Sequence, residues 1–125
     1  MRGDAILLLC ALHSFGFALF HAGFWRLFGW PRTLKDTTLA NRAVIQIANV
    51  QLIWVFAGVG ALCLLYPAEL VTTPLGRAVL AGMAIFWTVR VAGQFVWLRV
   101  NHPLVHGLTA LFALGAALFA WPLLA

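Results

Sequence analysis

Four long apolar stretches, separated by short polar or proline-containing breaks, dominate the hydrophobic pattern of this 125-residue chain. Hydrocarbon about 30 Å thick needs roughly 20 apolar residues per helix, so each stretch is long enough to cross a membrane. The stretches predict helices at about residues 5–28, 39–66, 74–98 and 103–121. Pro74 and Pro103 open the last two, where a first-turn proline is tolerated, and the fourth is expected to stop at Pro122. The pattern therefore predicts an all-α membrane protein, a single domain in which four transmembrane helices form an antiparallel bundle.

Composition agrees with this class. Hydrophobic residues make up 64% of the chain, charged residues only 9%, and the mean hydropathy is +1.00, whereas a soluble domain carries roughly 25% charged residues. The net charge of +5 does not indicate a nucleic-acid partner, because the cations gather in one loop and its helix ends. Membrane lipids are the expected partners, and so short a chain is expected to self-associate or to join a larger membrane complex.

The distribution of Lys and Arg predicts the orientation. Cations near helix ends favour the cytoplasmic side. Five of them lie in or beside the first and third loops, and two lie on the opposite side: Arg26, Arg32, Lys35, Arg42 and Arg99 against Arg2 and Arg77. We therefore expect a multi-pass protein of the cell inner membrane with both termini on the non-cytoplasmic side. The first apolar stretch resembles a signal peptide at its start, but it continues through Trp25 and is predicted to be a retained helix.

Polar residues recur at helical spacing on two of the predicted helices. Arg42, Gln46 and Asn49 are spaced i, i+4 and i+7 on the second helix, which places them on one face. Arg90, Gln94 and Trp97 repeat this spacing on the third helix. With His21 of the first helix, all are predicted to lie in the cytoplasmic half of the membrane, and one polar pocket that they share is the simplest arrangement.

Arg90 is the most informative of these residues. An arginine at membrane depth costs from about 2.5 to well over 10 kcal/mol, so it usually faces a protein interior or a site. The only acidic residues, Asp4, Asp36 and Glu69, lie in loops or at helix ends. Arg90 therefore lacks a carboxylate partner, and we expect an anionic or carbonyl-bearing amphipathic ligand such as a lipid headgroup, a quinone or a small anion. Arg42, near a helix end, has the alternative of reaching the headgroups.

Two other functions remain open. His102 and His106, spaced i and i+4, suit a metal if both face inward, and His21 with His106 could ligate haem in a membrane redox protein. Alternatively, the polar groups only fasten helices together in a structural or accessory subunit. Cys10 and Cys63 lie near the same predicted face, either as a disulfide or as two buried apolar side chains. No catalytic arrangement is evident, which favours a binding protein over an enzyme.

A resemblance to small, uncharacterised bacterial four-helix integral membrane proteins is carried by three segments. They read FHAGFWRLFGW at residues 20–30, NRAVIQIAN at 41–49 and WTVRVAGQ at 87–94. The resemblance covers most of the chain and implies the four-helix architecture and a bacterial inner membrane. It implies no activity. Small multidrug transporters are similar in size, but they need a membrane-embedded glutamate that this chain lacks.

Overall fold

A computed structural model describes residues 3–125, which form helices and no strand. Arg2, one of the cations that support the predicted orientation, lies outside the described residues. A short 3-10 turn at Arg32–Leu34 lies between the helices Phe24–Phe28 and Leu39–Leu65. The helices are α1 (Gly3–Ala22), α2 (Phe24–Phe28), α3 (Leu39–Leu65), α4 (Pro67–Thr72), α5 (Pro74–Trp97) and α6 (Pro103–Leu124).

Four of these helices are long and apolar enough to span a membrane. Their mean hydropathies lie between 1.5 and 1.9, and at 1.5 Å per residue even the shortest reaches about 28 Å. The all-helical class and the four membrane-length segments are thereby confirmed. They are Asp4–Ala22, Leu39–Leu65, Pro74–Trp97 and Pro103–Leu124.

The first predicted helix, residues 5–28, is interrupted at Gly23. α1 ends at Ala22, and the Gly23 amide donates to the carbonyls of Leu19 and Phe20 at 3.2 and 3.1 Å. α2 then continues for five residues and ends at Phe28. Gly29 caps it, and its φ of 68° lies in the left-handed region that glycine adopts without strain. The apolar pattern did not reveal the break, because the residues on both sides of it are apolar.

The last helix passes through the proline that was expected to end it. α6 extends to Leu124 with Pro122 inside. A proline lacks the N–H that would bond the carbonyl four residues earlier, which here belongs to Leu118. The Cys10 thiol donates a hydrogen bond to that carbonyl at 3.4 Å. Cys10 and Cys63 are both buried and carry free thiols.

The chain divides into two compact units. In the N-terminal unit (Ala11–Leu62), α1 and α3 run antiparallel. The Phe17 and Phe56 rings pack 6.1 Å apart. One turn further along α3, a Cβ at Gly60 would meet the Phe15 ring at 2.8 Å, so glycine permits this close approach.

In the C-terminal unit (Cys63–Ala125, with the chain up to Cys10), α5 and α6 are antiparallel neighbours joined by residues 98–102. Trp87 stacks on Phe112 at a centroid distance of 5.6 Å and an interplanar angle of 17°. At the far end of the pair, Arg77 donates to the carbonyls of Leu123 (3.1 Å) and Val71 (3.2 Å). The candidate site lies at the other end, close to the 98–102 connection.

Candidate functional site

Arg90 projects from α5 into a small polar cluster shared with α6. Its Nη1 donates to the Gln94 side-chain oxygen at 2.9 Å, and its guanidinium carbon lies 4.4 Å from the centroid of the Phe112 ring. A cation over an aromatic face is attracted by the ring quadrupole, by about 0.5–2 kcal/mol depending on desolvation. Phe112 is itself held by its stacking on Trp87. The guanidinium is therefore positioned by one amide and one ring.

Gln94 fixes this arrangement to the neighbouring helix. Its side chain is only 2% exposed, and its amide nitrogen donates to the Thr109 hydroxyl at 3.1 Å and the Val105 carbonyl at 3.4 Å. With the nitrogen engaged by α6, the amide oxygen is presented to Arg90. Thr109 in turn donates to the Val105 carbonyl at 2.9 Å. The i, i+4 spacing predicted the Arg90–Gln94 pair, and the structure brings these two residues into contact.

The Arg90 side chain extends towards the end of α5. Helical side chains normally tilt towards the helix N-terminus, yet Arg90 contacts Gln94 one turn later, and a Cβ at Gly93 would lie 3.7 Å from Arg90 Nη1. Arg90 is seven residues from the end of α5 at Trp97, which is about 10 Å along the axis. The charge is thus carried from helix depth towards the 98–102 connection.

The cluster keeps a net positive charge. A guanidinium has five N–H donors, and within residues 3–125 one of them, on Nη1, is hydrogen-bonded. Neither α5 nor α6 contains an aspartate or glutamate. Arg90 therefore retains N–H donors and a charge that no carboxylate of α5 or α6 neutralises.

A groove of about 660 Å³ adjoins this charge. Its walls come from one face of α5 and, apart from Arg90 and Gln94, they are apolar. Trp97 is 83% exposed and Val89 63% exposed on this face. The lining residues are Phe86, Val89, Arg90, Gly93, Gln94, Trp97 and Leu98. An elongated apolar surface with one cation at its side matches an amphiphile with an acidic or carbonyl group.

The remaining predicted site residues lie together in the N-terminal unit. The Asn49 side chain, 4% exposed, donates to the His21 carbonyl at 2.8 Å. The last four carbonyls of a helix lack intrahelical partners, so Asn49 satisfies one of them where α1 ends. The His21 Nδ1 is 2.8 Å from the Phe17 carbonyl, and its ring lies 4.4 Å from that of Phe24.

Gln46 and Arg42 form hydrogen bonds with α2 and with the loop before α3, in the same unit. The Trp25 indole donates to the Gln46 side-chain oxygen at 3.0 Å, and the Gln46 amide donates to the Arg42 carbonyl at 3.0 Å. The Arg42 guanidinium donates to the carbonyls of Thr37 (2.7 Å) and Lys35 (3.3 Å). The structure thus groups the seven predicted residues into two sets, each within its own unit. A single pocket formed by all seven stays a prediction.

The histidines of α6 have local partners. His102 caps the helix, its Nδ1 accepting from the Leu104 amide at 3.1 Å, and the His106 Nε2 is 2.8 Å from the Asn101 side-chain oxygen. No group of three or more His, Cys, Asp or Glu side chains among residues 3–125 is arranged to hold a metal ion. His21, the third histidine considered as a metal or haem ligand, lies in the N-terminal unit, whereas His102 and His106 lie in the C-terminal unit.

Phe112 and Thr109 are members of the cluster that the sequence did not reveal. Both lie on α6, whose residues are apolar all around, so periodicity could not show which face meets α5. The only signal was Thr109 itself, the one hydroxyl in that helix.

No family model, curated protein or solved structure matches the chain. The function is therefore inferred from the geometry of the cluster and the groove.

Proposed function

We propose that this chain is a membrane protein that binds an anionic or carbonyl-bearing amphipathic ligand in the α5 groove, with Arg90 as the principal contact. The observation that carries the proposal is the unneutralised guanidinium of Arg90, held by Gln94 and Phe112 beside an apolar groove. A lipid headgroup, a quinone carbonyl or a small amphipathic anion has the required acceptor.

The free-energy cost of placing an arginine in a membrane supports the presence of a bound ligand beside Arg90. Even the lower estimates for a guanidinium in the hydrocarbon region are about 2.5 kcal/mol. The hydrogen bond from the charged guanidinium to Gln94, about 1.5–3 kcal/mol, and the Phe112 ring, about 0.5–2 kcal/mol, offset the lower estimates of this cost but not the higher ones of about 10 kcal/mol or more. An acceptor with negative charge would add charge-assisted, bidentate hydrogen bonds, for which the planar guanidinium is well suited.

The groove itself supports an amphiphile over a free ion. Its apolar side chains run for three turns along α5, from Phe86 to Leu98, or about 18 Å. An acyl or isoprenoid chain on this surface would leave its polar end beside Arg90. Trp97, exposed at the end of the groove, is a residue type that favours the membrane interface.

The proposal includes a membrane arrangement. The four long helices form an antiparallel transmembrane bundle in the cytoplasmic (inner) membrane of a bacterium, with the basic loops on the cytoplasmic side and both termini outside. Lipids surround the bundle, and a second copy or a larger complex covers part of it. The separate hydrogen-bonded pairs α1–α3 and α5–α6 support the antiparallel order. Single cysteines introduced into the basic loops and near the termini, and tested for alkylation from each side of the membrane, check this orientation.

Replacing Arg90→Gln tests the binding function. We would purify the wild type and the variant in a mild detergent and measure co-purified lipids and quinones by mass spectrometry. Charge-assisted hydrogen bonds contribute about 1.5–3 kcal/mol, so the affinity for the amphiphile should fall about 10- to 150-fold. The amount that co-purifies should fall with it. Arg26→Gln is the matched control, since Arg26 is an exposed cation of α2 in the other unit.

The stability of the variant separates binding from a structural role. An Arg90→Gln protein that folds normally and loses its amphiphile supports the proposal. If it folds normally and retains the same lipids or quinones as the wild type, the groove is not a ligand site. Co-purified haem, seen as a Soret band that His106→Ala removes, would instead indicate the redox function.

A further inference from the structure

A second cavity, the junction cavity, adjoins the α5 groove at the connection between α5 and α6. It measures about 360 Å³, and Gln94 and Leu98 line both cavities. Its polar walls differ from those of the groove. They are formed by Gln94, Arg99, Asn101, His106 and Thr109.

Two of these residues, Arg99 and Asn101, present free hydrogen-bond donors. Arg99 Nε donates to the Phe95 carbonyl at 3.0 Å, and among residues 3–125 no other bond of its guanidinium is formed, so both amino groups remain. The Asn101 side-chain oxygen pairs with His106 Nε2 at 2.8 Å. An amide oxygen only accepts, so Nε2 carries the hydrogen, and the Asn101 amide nitrogen is left as a donor. No carboxylate lines the cavity.

The depth of this cavity fits a lipid phosphate. It lies just beyond the end of α5 at Trp97 and before α6 begins at Pro103, which in the proposed membrane arrangement is the level of the headgroups. Arg99, which lies in the 98–102 connection, reaches back to the Phe95 carbonyl of α5, whereas Arg90 extends forward to Gln94. Arg90 therefore lines the α5 groove and Arg99 lines the junction cavity, with Gln94 and Leu98 common to both.

We infer that the two cavities hold one ligand, an anionic glycerophospholipid. The phosphodiester occupies the junction cavity against Arg99 and Asn101, while an acyl chain lies in the α5 groove and its ester carbonyl faces Arg90. This inference rests on the proposed function and adds to it a phosphate requirement. It separates a phospholipid from a quinone or a fatty acid, because neither of those has both a phosphate for the junction cavity and an ester carbonyl for Arg90.

The experiment compares two ligands with the same chain: a brominated fatty acid, and a phosphatidylglycerol carrying that brominated chain. Bromine quenches nearby tryptophan, and Trp97 lines the groove, so the difference in quenching between the wild type and Trp97→Phe reports chain binding. Arg99→Gln should weaken phosphatidylglycerol binding about tenfold or more and change fatty-acid binding by less than about twofold. Arg99→Lys, which keeps the charge, should restore most of the affinity. Arg26→Gln is again the matched control.

The outcomes separate this inference from the proposed function. If Arg99→Gln weakens both ligands equally, or neither, the phosphate requirement is wrong while the α5 groove stands. If Arg90→Gln leaves the binding of both unchanged, the proposed function fails, and this inference fails with it. Inorganic phosphate alone is the third arm. If it stabilises lipid-free protein in thermal unfolding as much as phosphatidylglycerol does, the cavity is a free-anion site and the lipid assignment is overturned.

Discussion

Replacement of Gln94 by methionine should destabilise the α5–α6 pair without changing its packing volume. The side chain is 2% exposed, and the change removes its bonds to Thr109 and Val105 and the acceptor for Arg90. Hydrogen bonds between membrane helices average about 0.6 kcal/mol and reach about 1.7. An interaction with a charged donor adds about 1.5 kcal/mol. We therefore expect a loss of about 1–3 kcal/mol in the free energy of unfolding in mixed micelles.

A double-mutant cycle isolates the bond between the two helices. Thr109→Val removes the Gln94 partner, and its coupling to Gln94→Met should be about 0.6–1.7 kcal/mol. Thr88→Val is the matched control, because Thr88 donates to the Ala84 carbonyl of its own helix at 2.8 Å just as Thr109 donates to Val105. A coupling between Gln94 and Thr109 no larger than that between Gln94 and Thr88 would refute the role assigned to the amide.

Two further predictions concern the ends of helices. Asn49→Leu should lower the free energy of unfolding by about 1–2 kcal/mol in mixed micelles, because it leaves the His21 carbonyl at the end of α1 without its donor; Gln51→Leu, an exposed amide of the same helix, should change it little. Cys10→Ala should cost about 0.5–1 kcal/mol, and less in a Pro122→Ala background, where the helix regains an N–H for the Leu118 carbonyl. An equal cost of Cys10→Ala in both backgrounds would contradict the compensation.

Much of the fold followed from the length of the apolar stretches. Their bounds at residues 39–66 and 74–98 differ from the observed helices by one residue, because prolines or polar turns mark them. The break at Gly23 was missed since glycine is tolerated in membrane helices and the flanking residues remain apolar. The Leu118 carbonyl that Pro122 leaves without a helical donor is bonded by Cys10, which is more than a hundred residues away in the sequence. No local pattern reports such a contact.

The candidate site was predictable only within a helix. Spacing placed Arg90 with Gln94 correctly, since both lie on α5. Which residues of α6 complete the cluster depends on the rotation of a helix that is apolar on every side, and sequence periodicity carries no information about it. The same limitation applies to Asn49. Its spacing indicated a face of α3, but its partner is a backbone carbonyl, which every residue possesses.

An amide rather than a carboxylate at position 94 is consistent with a binding role for Arg90. A glutamate there would also accept from the guanidinium, but it would lack the N–H groups that Gln94 donates to Thr109 and Val105. It would also have neutralised Arg90 and competed with an anionic ligand for its donors. The glutamine positions the guanidinium through one hydrogen bond at 2.9 Å and leaves the positive charge uncompensated. Gln94 thus joins α5 to α6 through its amide nitrogen and leaves Arg90 the charge that the proposed binding function requires.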